Sequence, residues 1–225
     1  MKISKYCYSM LLLGLIYTSS SMAQEEEEVR IRGLRIGYDV SRLALYILEP
    51  ERTAFELSAD MEVKLNYYIT TELGMQQYRS EDSLFTYHAD GFYGRIGMDY
   101  NILKKRAANQ YEMVFAGIRY GYSRLDHDAE NIYIRDNYWN PVVQTQMETA
   151  VIHAHWIEAA AGVRAELFRN IFIGWSFRWR IMLYQTRVPE MKPIYIPGYG
   201  RGEKKSLIGF NYYIYVRIPL GQFKN

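Results

Sequence analysis

The chain has 225 residues, of which 49% are hydrophobic and 16% aromatic, and it contains 22 tyrosines. A chain of this length and composition can form one sizeable packed domain, which excludes an extensively disordered protein. Lys and Arg number 27 against 25 Asp and Glu, a formal net charge of +2. This balance excludes a strong electrostatic attraction for nucleic acid or another polyanion.

The first 23 residues predict a secretory signal peptide. Lys2 and Lys5 form a basic start, residues 8–17 an apolar core, and Ser21-Met22-Ala23 a small-residue cleavage site. The apolar core is too short for a membrane-spanning helix. Cleavage after Ala23 would remove two lysines and the single cysteine, Cys7, and would leave 25 basic and 25 acidic residues. We therefore expect an exported, formally neutral domain without disulfides or cysteine chemistry.

After a periplasmic lead-in at residues 24–31, apolar and polar residues alternate along the chain, as in Ile171, Ile173 and Trp175 against Phe172 and Gly174. This alternation predicts strands, and it recurs in eight segments of roughly ten residues, the length with which a tilted strand crosses a bilayer. The segments lie at residues 35–40, 55–64, 69–75, 92–100, 114–120, 157–167, 171–181 and 209–218. Residues 32–225 are thus predicted to form an all-β fold, an eight-stranded antiparallel up-and-down transmembrane β-barrel.

The apolar face of each strand is predicted to point outward, because it is too bulky for a narrow lumen. An eight-stranded barrel has an interior just wide enough for side chains, whereas the apolar faces carry Trp175, Phe177, Trp179 and Phe210. The opposite faces carry glycines, which are typical of places where strands curve and side chains crowd. Outward aromatic residues near strand ends fit the girdles of outer-membrane barrels, namely Tyr67, Phe92, Tyr100, Tyr120 and Tyr122.

The inward face is predicted to hold a plug of salt bridges. Charges shielded from water persist in pairs, and the inward positions carry eight positive and eight negative residues. These are Arg35, Asp39, Glu56, Asp60, Glu62, Lys64, Glu72, Arg95, Asp99, Arg119, Glu158, Arg164, Glu166, Arg178, Arg180 and Arg217. We therefore expect a closed lumen rather than a conducting pore.

The connections alternate between short and long. Short ones are predicted at residues 65–66, 101–110 and 169–170, and long ones at 43–53, 79–90, 124–150 and 186–204. Outer-membrane barrels have short periplasmic turns and long outer loops, and an even strand count places both termini in the periplasm. The acidic run at residues 25–28 then becomes a short periplasmic lead-in.

Several stretches resemble an uncharacterised Bacteroidetes family known as a domain of unknown function. The resemblance rests on residues 33–42, 116–122, 155–168 and 195–198 and covers nearly the whole chain after the signal peptide. The family is similar to OmpA/OmpX-type outer-membrane barrels, which implies the same fold and brings no catalytic motif. The last strand resembles the assembly signal of such barrels, but the chain ends Phe223-Lys224-Asn225, without a terminal aromatic residue.

Two histidine motifs are weak candidates for chemistry. His153 and His155 are two apart on one strand, so both rings face the same way and could form one edge of a metal site, but no third ligand is identifiable. Asp126-His127-Asp128 lies in the longest predicted loop and could place a base beside a carboxylate, as an enzyme acting on lipid or peptide requires. We expect neither a cofactor nor an enzyme, since such loop charges are usually solvated.

The long loops contain candidate binding residues. Aromatic side chains among prolines make rigid contact surfaces for a protein or glycan, and the alternative is that they pack onto the barrel mouth. They are Tyr133, Tyr138, Trp139, Tyr195 and Tyr199. Basic residues there could hold lipopolysaccharide phosphates, namely Arg124, Arg135, Arg187, Arg201, Lys204 and Lys205.

Together these features predict a monomeric outer-membrane β-barrel with a plugged, charge-balanced lumen and a structural or surface-binding role through its outer loops. Its expected partners are outer-membrane lipid and lipopolysaccharide, the outer-membrane assembly machinery and a surface protein or glycan. Two alternatives stay open. One is an outer-membrane enzyme acting on lipid or peptide, and the other is a secreted soluble barrel of lipocalin type, which the inward charges and glycines disfavour.

Overall fold

The computed structural model describes residues 30–82, 85–103, 110–134, 143–189 and 191–223. The predicted signal peptide, Arg135, Tyr138 and Trp139 lie outside these residues. One helix is described, α1 at Ser41–Leu48, and no helix among the described residues is long and apolar enough to cross a membrane. The strands are β1 Arg30–Asp39, β2 Arg52–Lys64, β3 Tyr67–Glu81, β4 Thr86–Asn101, β5 Met113–Ile134, β6 Val143–Phe168, β7 Ile171–Gln185, β8 Tyr195–Ile196, β9 Gly200–Arg201 and β10 Ser206–Phe223.

Eight of these strands close into a barrel in the order β1-β10-β7-β6-β5-β4-β3-β2. Every neighbouring pair is antiparallel, and each strand pairs with the next wall strand in the chain, apart from the closure of β1 on β10. Strands β8 and β9 form a separate two-residue hairpin. The predicted eight-stranded up-and-down barrel is confirmed.

Several strands are longer than the predicted ten residues. Strands β5 and β6 have 22 and 26 residues and pair as far as Ile134 and Val143. Pairing of β3 with β4 likewise reaches Glu81 and Thr86. Residues 79–90 and 124–150, which we predicted to be long loops, are therefore mostly strands that extend one end of the barrel. Residues 43–53 are also not a simple loop, because α1 occupies most of them.

The opposite end of the barrel, here called the turn end, has two tight turns built in the same way. Asn66 and Asn170 both adopt positive φ of 65°, which suits asparagine better than a bulky residue. Each turn is also held by a glutamate four residues earlier. The Asn66 amide donates to Glu62 at 3.0 Å, and the Asn170 amide donates to Glu166 at 2.8 Å. The far end, with the long strands, is called the loop end.

Side chains alternate between the two faces of the wall as predicted. Outward apolar side chains are exposed, for example Leu73 at 63%, Ile118 at 70% and Phe210 at 55%. Inward charged side chains are buried, for example Glu56 at 0% and Arg95 at 2%. This distribution is the reverse of a water-soluble globule, in which apolar side chains face the core and charges face solvent.

One premise of the prediction was wrong, because the lumen also holds large aromatic residues. Trp156, Phe172 and Tyr87 are each 0% exposed, although we expected such bulk to be excluded. Glycines on adjacent strands create the space. A Cβ atom on Gly121 would lie 2.2 Å from the Trp156 ring, and one on Gly74 would lie 2.3 Å from the Tyr93 ring. The inward glycines thus accommodate rings as well as wall curvature.

Candidate functional site

The lumen contains a continuous network of ion pairs, centred on Glu72 and Glu56. Arg178 donates to both oxygens of Glu72 at 2.7 and 2.8 Å, and Arg119 and Arg95 lie 2.7 and 2.9 Å from the same carboxylate. Glu56 pairs with Arg95 at 2.6 Å and accepts the hydroxyl protons of Tyr93 and Tyr213 in short hydrogen bonds. Each central carboxylate therefore contacts several cationic or hydroxyl donors.

Toward the turn end, a second cluster continues the network. Asp99 pairs with Arg119 at 3.1 Å and with Arg164 at 3.0 Å. Arg164 also lies 3.3 Å from Asp60, which pairs with Arg35 at 2.5 Å. Toward the loop end, Glu158 lies 3.2 Å from Arg180 and 3.3 Å from Arg95, and it accepts the indole proton of Trp156 at 2.8 Å.

Twelve of the sixteen predicted luminal residues belong to this buried network: Arg35, Asp39, Glu56, Asp60, Glu72, Arg95, Asp99, Arg119, Glu158, Arg164, Arg178 and Arg180. The other four lie near the turn end. Glu62 and Glu166 hold the two tight turns instead, and Lys64 is exposed. Arg217 lies over the Tyr111 ring at 3.5 Å. Of these four residues, Arg217 is also buried, at 7% exposure.

Sequence reasoning missed one member, Arg42 of helix α1. Its guanidinium lies 2.6 Å from Glu56 and 3.1 Å from Asp39, and the residue is only 5% exposed. Asp39 also accepts hydrogen bonds from the Asn211 amide and from Ser41. The available signal was the spacing of Asp39 and Arg42, three residues apart where the strand alternation stops.

The loop between β7 and β10 caps the loop end of the barrel from inside. Ile196 and Tyr199 are 0% exposed and pack against Trp156 and the inward residues of the extended strands. The Tyr199 hydroxyl donates to the Lys204 carbonyl at 2.7 Å, and Arg180 donates to the Tyr199 carbonyl at 2.9 Å. Tyr199 is therefore a packing residue of the cap rather than an exposed binding residue.

Tyr195, another loop candidate, is also engaged by the barrel. Its hydroxyl accepts a hydrogen bond from Arg52 at 2.9 Å, and its ring stacks on Tyr78 at 5.6 Å. Tyr133, by contrast, is 44% exposed on the extended β5–β6 hairpin. The structure therefore does not bring the aromatic candidates together on one surface.

Asp126, His127 and Asp128 are not in a loop, as we predicted, but in strand β5. Successive residues point to opposite faces, so His127 is buried while both aspartates lie on the outer face. His127 shares a hydrogen bond with the Tyr87 hydroxyl at 3.3 Å, and burial lowers the pKa of its imidazole below the ordinary value. The triplet therefore does not form a carboxylate–histidine relay.

His153 and His155 point outward and are held by tyrosines of β5. The Tyr122 hydroxyl lies 2.9 Å from Nδ1 of His153, and the Tyr120 hydroxyl lies 2.5 Å from Nδ1 of His155. Within the described part of the chain, no group of three His, Cys, Asp or Glu side chains could hold a metal ion. The two rings belong instead to an outward aromatic cluster that includes Tyr184.

Five of the six basic residues proposed for lipopolysaccharide lie among the described residues, all at the loop end. Arg124 is on the outer face of β5 and pairs with Asp126 at 3.6 Å. Arg187, Arg201, Lys204 and Lys205 are exposed around the cap. Arg201, Lys204 and Lys205 lie on one turn, in which the Lys204 amide donates to the Arg201 carbonyl at 3.3 Å. The five residues remain candidate phosphate contacts.

The interior of the barrel is closely packed around the ion pairs. A void lined by Phe115, Arg119 and Tyr215 leaves no room for a water molecule. The network has six carboxylates and seven guanidiniums, so it is close to balanced but does not have the equal numbers that we predicted. Ion pairs and hydrogen bonds to these groups stabilise their charged forms. The candidate site is thus a buried ion-pair network beneath an aromatic cap.

The chain is similar to one family of proteins and to several solved structures. The model of the family described as a domain of unknown function, DUF6048, matches residues 3–223. No curated protein matches the chain. Similar solved structures include the attachment invasion locus protein Ail of Yersinia pestis, with a TM-score of 0.41, 10% identity and coverage of 86% of this chain and 99% of that chain. Another is a major outer membrane protein from Thermus thermophilus, with a TM-score of 0.45, 9% identity and coverage of 84% of this chain and 98% of that chain.

Proposed function

We propose that this chain, which belongs to the DUF6048 family, is a plugged outer-membrane β-barrel with a structural role that displays its outer end for contact at the cell surface. The observation that carries the proposal is the combination of an apolar exterior with a buried ionic interior. In water, such an exterior would be a large exposed apolar surface that promotes aggregation. In a bilayer it is the expected lipid-facing surface of a barrel.

The height of the exterior fits a bilayer. On β10, five alternate outward residues are apolar and between 44% and 55% exposed, namely Phe210, Tyr212, Ile214, Val216 and Ile218. Nine strand residues extend about 27 Å, which is about 21 Å along the axis of a barrel whose strands tilt by about 40°. This height is close to the apolar band of about 25 Å typical of outer-membrane barrels.

The interior favours a structural role over transport or ligand carriage. A pore needs a hydrated lumen, whereas Glu72 and its three arginines, which come from four different strands, form direct ion pairs inside the barrel. A soluble lipocalin-type barrel needs an apolar cavity open at one end. Here the corresponding space holds the cap residues Ile196 and Tyr199.

The surface part of the proposal rests on the β5–β6 hairpin. Its strands continue past the end of β7, whose pairing with β6 stops at Ala154 and Gln185. The hairpin presents the exposed side chains of Tyr133, Gln144 and Gln146 beyond the barrel wall. In the proposed orientation this hairpin projects from the cell, where it would meet a surface protein or glycan.

The membrane part can be tested with the native tryptophans. Trp175 and Trp179 face outward, at 39% and 47% exposure, while Trp156 is buried in the lumen. The fourth tryptophan, Trp139, lies outside the described residues and is replaced by Phe in every sample. In phosphatidylcholine vesicles with brominated acyl chains, which quench nearby indoles, we expect partial quenching of the protein. Replacing both outward residues by Phe should abolish most of that quenching. Unquenched native fluorescence, or recovery of the protein in the soluble fraction of cells, would refute the membrane assignment.

The plug can be tested independently by conductance. Protein inserted in a planar phospholipid bilayer is expected to give no steady single-channel current, because the ion pairs leave no continuous water path. A sustained, reproducible conductance would contradict the plug while leaving the membrane assignment intact.

A further inference from the structure

The barrel wall has a gap at its loop end, because β1 is shorter than both of its neighbours. Strand β1 ends at Asp39, opposite Tyr213, and the last contact is the Val40 amide donating to the Tyr212 carbonyl at 2.9 Å. Strand β10 continues beyond this point for six residues, to Ser206, paired with β7. On the other side, pairing of β1 with β2 stops at Leu57, although β2 begins at Arg52.

Helix α1 fills this gap. It begins at Ser41, two residues after β1 ends, and packs against both β2 and β10. Arg42 passes to the luminal side and pairs with Glu56 and Asp39. After Leu48 the chain turns, and the Arg52 amide donates to the Glu49 carbonyl at 2.9 Å as β2 begins. The helix thus replaces the missing outer part of β1 in the wall.

The side of α1 away from the lumen is apolar and uncovered. Leu43 is 55% exposed, and Ile47 and Leu48 are each 77% exposed. On a helix, positions 43 and 47 lie one turn apart on the same side, about 100–140° from Arg42. A helix that directs its arginine inward and its leucine and isoleucine outward has the same polarity as the barrel strands around it.

The neighbours of α1 identify what covers this apolar side. On β10, Phe210 and Ile208 lie beyond the end of β1, at the height of the gap, and are 55% and 63% exposed on the outer face. On β2, Phe55 is 48% exposed and packs on Tyr38 at 5.4 Å. The outward residues of α1 lie between these two apolar strand edges. The medium that covers both flanks therefore also covers the helix.

From this continuity we propose that α1 is a lipid-facing segment of the wall, embedded among the acyl chains of the outer leaflet and held in place by Arg42. The proposal rests on the membrane assignment above. It differs from the usual arrangement, in which outer connections leave the bilayer and enter water. The occupant is bilayer lipid, since the flanking apolar side chains form one surface with the rest of the band.

Spin labelling tests the proposal, because the chain contains a single cysteine, Cys7, that can be removed. In a full-length Cys7→Ser background, labels are placed at Ile47→Cys and, in a second variant, Leu43→Cys. Ile214→Cys on β10 is the control for the lipid-facing wall, and Glu203→Cys in the cap loop is the control for water. All are measured in dioleoylphosphatidylcholine vesicles by collision with oxygen, which concentrates in lipid, and with a water-soluble nickel chelate.

We expect the labels at positions 43, 47 and 214 to collide preferentially with oxygen, and the label at 203 with nickel, with at least a several-fold difference in the ratio. If 214 reports lipid while both 43 and 47 report water, α1 is outside the bilayer and this proposal is wrong. If 214 also reports water, the membrane assignment itself fails. If 43 and 47 are shielded from both reagents and show spin–spin broadening, a second copy covers the helix, which also overturns the proposal.

Discussion

Replacing Glu72 by glutamine should destabilise the barrel strongly while preserving the shape of the side chain. Glu72 is 1% exposed and contacts three guanidiniums. Without its charge, Arg95 still has Glu56 and Glu158, and Arg119 still has Asp99. Arg178 retains only Glu56 and Glu158, at 3.9 and 3.7 Å. The variant therefore leaves at least one buried cation without a close counter-charge.

Removing one partner of a buried ion pair typically costs about 3–5 kcal/mol, and we expect Glu72→Gln to lie in that range. The matched control is Glu166→Gln, a partly exposed glutamate that accepts one backbone hydrogen bond, where about 0.5–1.5 kcal/mol is expected. Urea unfolding of vesicle-inserted protein, followed by gel mobility and tryptophan fluorescence, measures both losses. With a slope of about 2 kcal/mol per molar urea, the Glu72 variant shifts the midpoint by about 2 M.

A double variant separates charge from shape. If the uncompensated Arg178 causes the loss, Glu72→Gln combined with Arg178→Met should cost less than the sum of the two single variants. The reasoning is refuted if Glu72→Gln is no more destabilising than Glu166→Gln, or if the double variant is fully additive.

Two further outcomes follow from the lumen. Gly121→Ala places a Cβ 2.2 Å from the Trp156 ring and should lower the free energy of unfolding in urea by about 1–3 kcal/mol. The control is Gly94→Ala, whose Cβ meets only ordinary contacts from 3.4 Å and should be nearly neutral. Equal effects of the two variants would contradict the packing argument. His127 is linked to the cap through Tyr87, whose hydroxyl lies 3.3 Å from His127 and accepts a hydrogen bond from the Ile194 amide of the cap loop at 3.3 Å. Burial lowers the pKa of His127. If opening the cap exposes His127, the open form binds more protons below about pH 6.5, so the stability of the cap should fall as pH decreases. Limited proteolysis of the loop at residues 186–205 measures this, and a His127→Gln variant that keeps the same pH dependence would contradict it.

The strands within the apolar band were predictable from the sequence, because one face meets lipid and the other a charged interior. That contrast produces the alternation that identifies residues 171–181 as a strand with known faces. Beyond the band the contrast disappears. Tyr87 and His127 are both inward, yet one is aromatic and one ionisable, so the extensions of β4 and β5 resemble loops in sequence.

The remaining errors have the same physical origin. Helix α1 interrupts the alternation for only eight residues, which is too short for a helical period to stand out, so the role of Arg42 was missed. Glu62 and Glu166 lie on the inward side but are only partly buried, and each accepts a hydrogen bond from a turn amide, a role that the alternation does not reveal. For Tyr199 the sequence left two alternatives, a surface contact or packing onto the barrel mouth, and the structure shows the packing. Nothing in the local sequence distinguishes them, because the distinction depends on the loop folding back into the barrel.

The ionic network also has consequences for the order of assembly, because its charges are divided unequally along the chain. The segment from β1 to β4, with α1, supplies five of the carboxylates and three of the guanidiniums, namely Asp39, Glu56, Asp60, Glu72 and Asp99 with Arg35, Arg42 and Arg95. The segment from β5 to β10 supplies four guanidiniums and one carboxylate, namely Arg119, Arg164, Arg178 and Arg180 with Glu158. An open sheet would therefore have an acidic half and a basic half on the same face. Curling the sheet brings the two halves together, so neutralisation and closure are one event, and neither half of the chain is electrostatically complete without the other.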